Sequence, residues 1–190
     1  MGCLNENFDS YSNGNLTGNG SWSGNATWQV ESSVVQAGTH AATVNSNSSL
    51  LISNTAISAS SGIQSFYVRS DNVTSTSAVI ISFVEGSTER FAMLARGSDS
   101  TYRLRGTSDV TIGTVAANTW YQVEIQFDGV GQQIRARING GTWTSYMAAE
   151  SNWTTINKIT LSSGNQAVNW YWDTFTNNTP VTSSGFLMFM

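Results

Sequence analysis

"NTWYQVEIQFDGVGQQIRARINGG", residues 118–141, decides the fold. Its apolar residues fall at every second position, with Tyr121, Val123, Ile125 and Phe127 in the first half and Ile134, Ala136 and Ile138 in the second. Between them stand Gln122, Glu124 and Gln126, then Gln133, Arg135 and Arg137. A period of two sends successive side chains to opposite faces of a strand, so each half has one face for a core and one for water. Asp128-Gly129 supplies the reversal, and the halves pair as an antiparallel hairpin. On the wet face Glu124 can meet Arg135 or Arg137 across the strands. Such a contact supports register and contributes from a few tenths to ~1 kcal/mol.

The same alternation extends in both directions, bounded by Gly, Asn, Ser and Asp, and helical periodicity is sustained nowhere. It predicts strands at roughly 6–11, 27–35, 40–45, 49–54, 63–70, 78–85, 89–96, 101–106, 119–128, 132–139, 155–162 and 167–176. "EGST" at 85–88 and "GSDS" at 97–100 supply further turns. That many strands need two sheets, so the expected fold is all-β, a single antiparallel sandwich over 1–176. Residues 177–190 hold the only proline, Pro180, and end in "GFLMFM". They read as a loop and an apolar tail that completes a last strand or makes a subunit contact in a homo-oligomer.

Composition narrows the function classes. At 190 residues the chain can bury about 70% of its extended surface. Charged residues make up 11%, and Asn, Ser, Thr and Gly carry the polarity instead. A net charge of −4 without any Lys/Arg run argues against a nucleic-acid partner. The sole cysteine, Cys3, excludes an intramolecular disulfide. "MGCLNENF" lacks a secretory signal pattern, and Glu6 stands where acylation of Gly2 wants Ser or Thr. "GFLMFM" is too short for a membrane span. The expected setting is extracellular or a virion surface, reached without a recognisable signal peptide.

The opening "ENFDSYSNGNL", the central "TWYQVEIQFDGVGQQIRARING" and the closing "NWYWDTFT" together resemble the concanavalin A-like lectin/glucanase superfamily, in particular its laminin-G-like jelly rolls from bacteria and phages. The resemblance covers about 6 to 176. It implies two curved sheets, a concave one that often binds glycan and a convex one behind it. It also implies a structural calcium ion between the first and last strands, at Glu6 and Asp173, with Asp9 and backbone carbonyls adding oxygens. Without an ion, Glu6 caps an exposed first strand and Asp173 bonds a neighbouring turn.

The chemistry of the superfamily's enzymes is not visible. Its glucanases carry Glu-x-Asp-x-(x)-Glu within one strand, to place two carboxylates about 5–5.5 Å apart around the scissile bond. The nearest acidic pair here, Glu85 and Glu89, straddles a turn and reads as solvated. The alginate-lyase branch needs Gln-x-His, and the only histidine, His40, has no such Gln and reads as a half-buried strand residue. One His and one Cys also exclude a hydrolase triad or a zinc centre built on them.

Binding residues are easier to nominate. Tyr67, Arg69, Arg96, Arg103 and Arg105 share outward parity over 63–106, and one sheet holding them all would bear an Arg/Tyr patch suited to acidic sugars. The alternative is ordinary strand exteriors, neutralised locally by Asp71, Glu89 and Asp99. Trp143, Tyr146 and Trp153 fall in "GTWTSYMAAESNW", which breaks the alternation and reads as a loop bearing sugar platforms, subunit contacts or a cover for the sheet edge. Trp22, Trp28, Trp170 and Trp172 are assigned to the core. The expected protein is a non-catalytic, lectin-like module of a phage virion or bacterial surface. It either binds glycan or decorates the particle through other subunits; a polysaccharide lyase or glycoside hydrolase with an unfamiliar site is the alternative.

Overall fold

The computed structural model describes residues 2–46, 50–74, 77–164 and 168–178. Fifteen strands appear in chain order: β1 (Gly14–Asn15), β2 (Trp22–Gly24), β3 (Gln29–Glu31), β4 (Ala41–Ser46), β5 (Leu51–Asn54), β6 (Gly62–Ser70), β7 (Ser77–Glu85) and β8 (Thr88–Arg96). Then follow β9 (Thr101–Arg105), β10 (Asp109–Thr114), β11 (Tyr121–Asp128), β12 (Gln133–Ile138), β13 (Met147–Ala148), β14 (Lys158–Ser162) and β15 (Val168–Asn178). An eight-stranded antiparallel sheet runs β1-β3-β4-β15-β6-β11-β12-β13, and a seven-stranded one runs β10-β9-β8-β7-β14-β5-β2. No described residue is helical. The architecture is the expected all-β, two-sheet antiparallel jelly-roll sandwich.

The hairpin read from 118–141 forms, with Val123 facing Ile138 and Phe127 facing Ile134. Alternation fills the core from both sheets: Phe66, Val123 and Trp172 from one, Phe83, Phe91 and Leu104 from the other. Aromatic rings gather at both ends of that core. Phe8, Trp22, Phe66, Trp172 and Phe175 make one cluster, and Phe83, Phe91, Phe127 and Trp153 the other. Trp22, Trp28, Trp170 and Trp172 are all buried, as expected.

Strand length is where the structure departs from the expected pattern. The first strand, expected at 6–11, reduces to one bridge in which Glu6 exchanges backbone bonds of 2.9 and 2.7 Å with Phe175. Phe8 then turns at φ +63°, and its ring enters the core. In β15 a bulge between Asp173 and Thr176, with Thr174 at φ +46°, shifts the parity. Trp172 and Phe175 thereby face inward although three positions apart. Gln64, fully buried, binds the nearby segments together: its amide bonds both the N–H and the C=O of Leu4, and Nε2 also donates to the carbonyl of Thr176. The end of the expected C-terminal segment, 179–190 with Pro180, lies outside the described residues; Asn177 and Asn178 belong to β15.

Candidate functional site

The outer face of the seven-stranded sheet carries a groove of about 450 Å³, bounded by Leu51, Ser53, Val79, Ser82, Glu89 and Thr160 among others. Antiparallel register explains its chemistry. Ser23 pairs with Ser53, Ser53 with Thr160, Thr160 with Ser82, Ser82 with Ala92, and Ala92 with Arg105. A line of short hydroxyl side chains therefore crosses most of the sheet. Ser53 Oγ and Thr160 Oγ1 lie 2.8 Å apart, the Ser82 hydroxyl donates to Glu89, and Lys158 Nζ donates to the carbonyl of Gly86 at 2.9 Å. Between these polar positions Leu51, Val79 and Val84 supply apolar surface.

Towards β10 the same face has a second cavity of about 190 Å³, lined by Ser77, Leu94, Arg96, Arg103, Arg105 and Asp109. Here two of the three arginines are paired with acids, and Arg96 Nε donates to Ser98 Oγ at 3.3 Å. Arg103 pairs with Asp99, while Arg105 Nε lies 3.4 Å from Asp109 and 3.9 Å from Glu150. The Thr101 hydroxyl first, and Arg103 with it, holds the Asp99 carboxyl below the usual range. Glu150 is shifted the opposite way: burial and the nearby charge of Glu89 raise it, against the pull of Arg105.

Tyr67 and Arg69 are elsewhere. β6 pairs with β11 and β15 in the eight-stranded sheet, and the chain crosses to the other sheet before β7. The single Arg/Tyr patch expected from the sequence does not form, because shared parity joins residues only within one sheet. Tyr67 and Arg69 face out on the eight-stranded side; Arg96, Arg103 and Arg105 face out on the other. Arg69 stacks 5.0 Å from the Tyr171 ring and donates to Asn118 Oδ1 at 2.9 Å, and Trp120 meets Tyr171 edge-on at 6.5 Å.

Trp143 and Tyr146 lie at the edge of that same sheet, folded down on it. Thr144 donates its amide to the Ala136 carbonyl at 2.8 Å, and its hydroxyl accepts from the Ala136 amide at 3.1 Å. The Arg135 guanidinium sits 4.8 Å from Trp143 and 4.4 Å from Tyr146, and Arg137 lies 4.5 Å from Trp143. Arg137, rather than Arg135, takes Glu124 as partner, at 2.5 and 3.0 Å, and Glu124 is only 6% exposed. Trp153 is no platform: it is buried, with Nε1 donating to the Ser60 carbonyl at 2.8 Å.

The residues nominated for calcium do not fit a shared ion. The Glu6 carboxylate accepts from Tyr11 Oη at 2.6 Å, Trp22 Nε1 at 3.1 Å and the Phe8 amide at 2.9 Å, beside the aromatic core. Asp173, on the opposite face of β15 from Trp172, accepts the Gln36 and Ala37 amides at 2.9 and 3.1 Å. Asp9 is spent on the backbone of Thr39 and His40. Each carboxylate is occupied by its own N–H or O–H donors. No group of three or more His, Cys, Asp or Glu suited to a metal occurs among the described residues. Burial raises the Asp173 carboxyl above its usual range, against the pull of the Ala37 and Gln36 amides.

Glu85 and Glu89 are not the solvated turn residues expected. Glu85 accepts the Thr154 and Thr155 amides at 3.0 and 2.9 Å and pairs with Arg90 at 2.8 Å, clamping the segment before β14 to the β7–β8 turn. Asp71 and Glu89 do not neutralise the arginines either. Asp71 accepts from Asn169 and Glu89 from Ser82; Asp109 and Glu150 take that role on Arg105. Sequence reasoning missed Ser53, Ser82, Lys158 and Thr160. The alternation of "NKITLSS" already placed Lys158 and Thr160 opposite Ile159 and Leu161, but Ser and Thr are too common in this chain to stand out.

No protein-family model matches the sequence, and no curated protein matches it. Solved structures match the fold. A sialidase aligns at 10% identity with a TM-score of 0.74, over 95% of this chain and 19% of its own. The carbohydrate-binding module CBM66 from Bacillus subtilis aligns at 11% and 0.55, over 84% and 96%. The binding domain of botulinum neurotoxin DC, in complex with SialylT, aligns at 15% and 0.53, over 81% and 41%. This chain thus spans about a fifth of the sialidase. The likeness shows the concanavalin-like jelly roll, a fold shared by enzymes and by non-catalytic modules.

Proposed function

We propose that the chain is a non-catalytic carbohydrate-binding module that takes an extended, uncharged glycan in the groove on the outer face of its seven-stranded sheet. The observation that carries this reading is the hydroxyl line Ser53–Thr160–Ser82 between apolar positions Leu51, Val79 and Val84. A sugar ring has apolar C–H faces and a polar rim, and this surface offers both complements. Charge supports a neutral ligand. Lys158, Arg96, Arg103 and Arg105 stand among Glu89, Asp99, Asp109 and Glu150, so no net field selects an anion. From β5 to β10 the face spans roughly 24 Å at ~4.8 Å per strand, room for several sugar rings. The carbohydrate-binding module CBM66 and the toxin binding domain in complex with SialylT share this fold and support a carbohydrate role for it. An amide- and hydroxyl-rich exterior with few charges suits a virion or bacterial surface, and that is the setting we assign.

Native affinity gels containing dextran, xylan, laminarin or galactomannan test this. At least one polymer slows the wild type, and Thr160→Trp, which fills the groove, removes the retardation while leaving the thermal midpoint in place. Normal migration in every gel, or retardation that Thr160→Trp leaves intact, rejects the site.

One observation favours a second reading, a glycoside hydrolase. Burial first, and the nearby charge of Glu89 after it, raise the Glu150 carboxyl, the direction a general acid in glycoside hydrolysis needs. Release of reducing ends from the same polymers, lost in Glu89→Gln and Glu150→Gln, would establish it.

A further inference from the structure

Arg135 is held in a way that serves no ion pair. Its guanidinium lies against two rings, 4.8 Å from Trp143 and 4.4 Å from Tyr146, and its Nε donates to Gln126 Oε1 at 2.9 Å. Among the described residues it has no carboxylate partner, whereas its neighbour Arg137 is matched by Glu124. A guanidinium stacked on a ring keeps its N–H edge for bonding. Such an edge meets a planar or tetrahedral oxyanion with two parallel hydrogen bonds. Tyr146 is 42% exposed, so a ligand gripped there finds a ring beside it.

We propose that Arg135, Trp143 and Tyr146 form a second binding site, on the edge of the eight-stranded sheet, for an acidic sugar bearing carboxylate or sulfate. It lies on the opposite side of the sandwich from the groove and does not depend on it. The ring stack fixes the guanidinium before the ligand arrives, so little side-chain freedom is lost on binding. Arg69, the other ring-stacked guanidinium of this sheet, is less suited. It sits beside Tyr171, which also feels the charges of Glu31 and Asp71, and an anion there would meet two carboxylates. The chain's net charge of −4 disfavours indiscriminate attraction of polyanions, so retention of one calls for a local site.

The test is affinity electrophoresis near 0.15 M salt in gels of dextran sulfate, polygalacturonate and uncharged dextran, the first two separating sulfate from carboxylate. Wild type is slowed by at least one of the two polyanions. Arg135→Gln weakens that retention at least tenfold, Arg135→Lys restores only part of it, and Tyr146→Ala weakens it several-fold. Thr160→Trp leaves it unchanged, which separates this site from the groove. Far-UV circular dichroism of each variant reads out folding, and Arg135→Lys and Tyr146→Ala carry the test if Arg135→Gln does not fold. Migration of the wild type unaffected by both polyanions, or equal retention of wild type and the folded arginine variants, overturns the proposal.

Discussion

The two outer faces of this sandwich differ in kind although the same alternation builds both. The seven-stranded face is made of Ser, Thr and short aliphatic residues, with Arg103 and Arg105 matched by acids, and no aromatic side chain of its described strands points outward. The eight-stranded face bears Tyr67, Trp120, Tyr171, Trp143 and Tyr146, with guanidiniums stacked on the last three. Small side chains leave a groove; large ones stacked on arginine fill the relief and fix charged groups in place. A period of two thus decides which residues reach water, and side-chain size then decides whether the wet face receives a ligand in a groove or offers one fixed points.

The largest expected effect concerns the alternation itself. On β15, Trp172 is buried among Phe66 and Phe175, while Tyr171 next to it faces out beneath Arg69. Trp172→Ala should cost about 3–5 kcal/mol in denaturant unfolding, and Tyr171→Ala about 1 kcal/mol. Equal losses would mean that inside and outside are wrongly assigned. Next is the contrast between ion pairs on the two faces. Glu124→Gln leaves Arg137 without its buried partner and should cost about 1–3 kcal/mol. Arg105→Gln, in a half-exposed network, should cost less than ~1 kcal/mol. A larger loss from Arg105→Gln would show that the groove's charges hold the fold rather than flank a site.

The smallest effect is a dependence on pH. Backbone amides of Thr39 and His40 hold the Asp9 carboxyl below its usual range, and those of Thr155 and Thr154, with Arg90, do the same for Glu85. Depressed carboxyls stabilise the fold above their ordinary pKa values and lose that contribution as pH falls through the lower folded ones. The thermal midpoint should therefore decline from about pH 5 downward. Asp9→Asn and Glu85→Gln should each flatten the decline. Asp173, raised by burial, has the opposite sign: its contribution is full below the ordinary carboxylate range and is lost as pH rises through its folded value, so Asp173→Asn should not flatten the acid decline. Acid slopes that survive both of the first two substitutions would place the titration elsewhere.

The sandwich was legible where long strands alternate cleanly, as in 121–128 and 133–138, whereas β7 and β8 pair with register shifts at Val79/Ile81 and Phe83/Val84. Short strands were not legible. β1, β2 and β13 are two or three residues long, set by pairing to neighbours distant in sequence, and leave no periodic trace. Parity within 63–106 puts Tyr67, Arg69, Arg96, Arg103 and Arg105 on outer faces but says nothing about which sheet each strand joins. Tyr67 and Arg69 went to one sheet, Arg96, Arg103 and Arg105 to the other. Glu150 was invisible for a related reason: it lies near Arg105 only because the loop after β13 bonds Glu150 to the carbonyl of Arg90 across the sandwich edge.

Backbone-amide shift mapping, with whichever neutral polymer slows the protein most supplied as short oligosaccharides, addresses the central claim directly. Shifts concentrated at Ser53, Ser82 and Thr160, with Tyr67, Arg135 and Trp143 unmoved, are what a groove on the hydroxyl face requires. Shifts gathered on the aromatic face instead would contradict it.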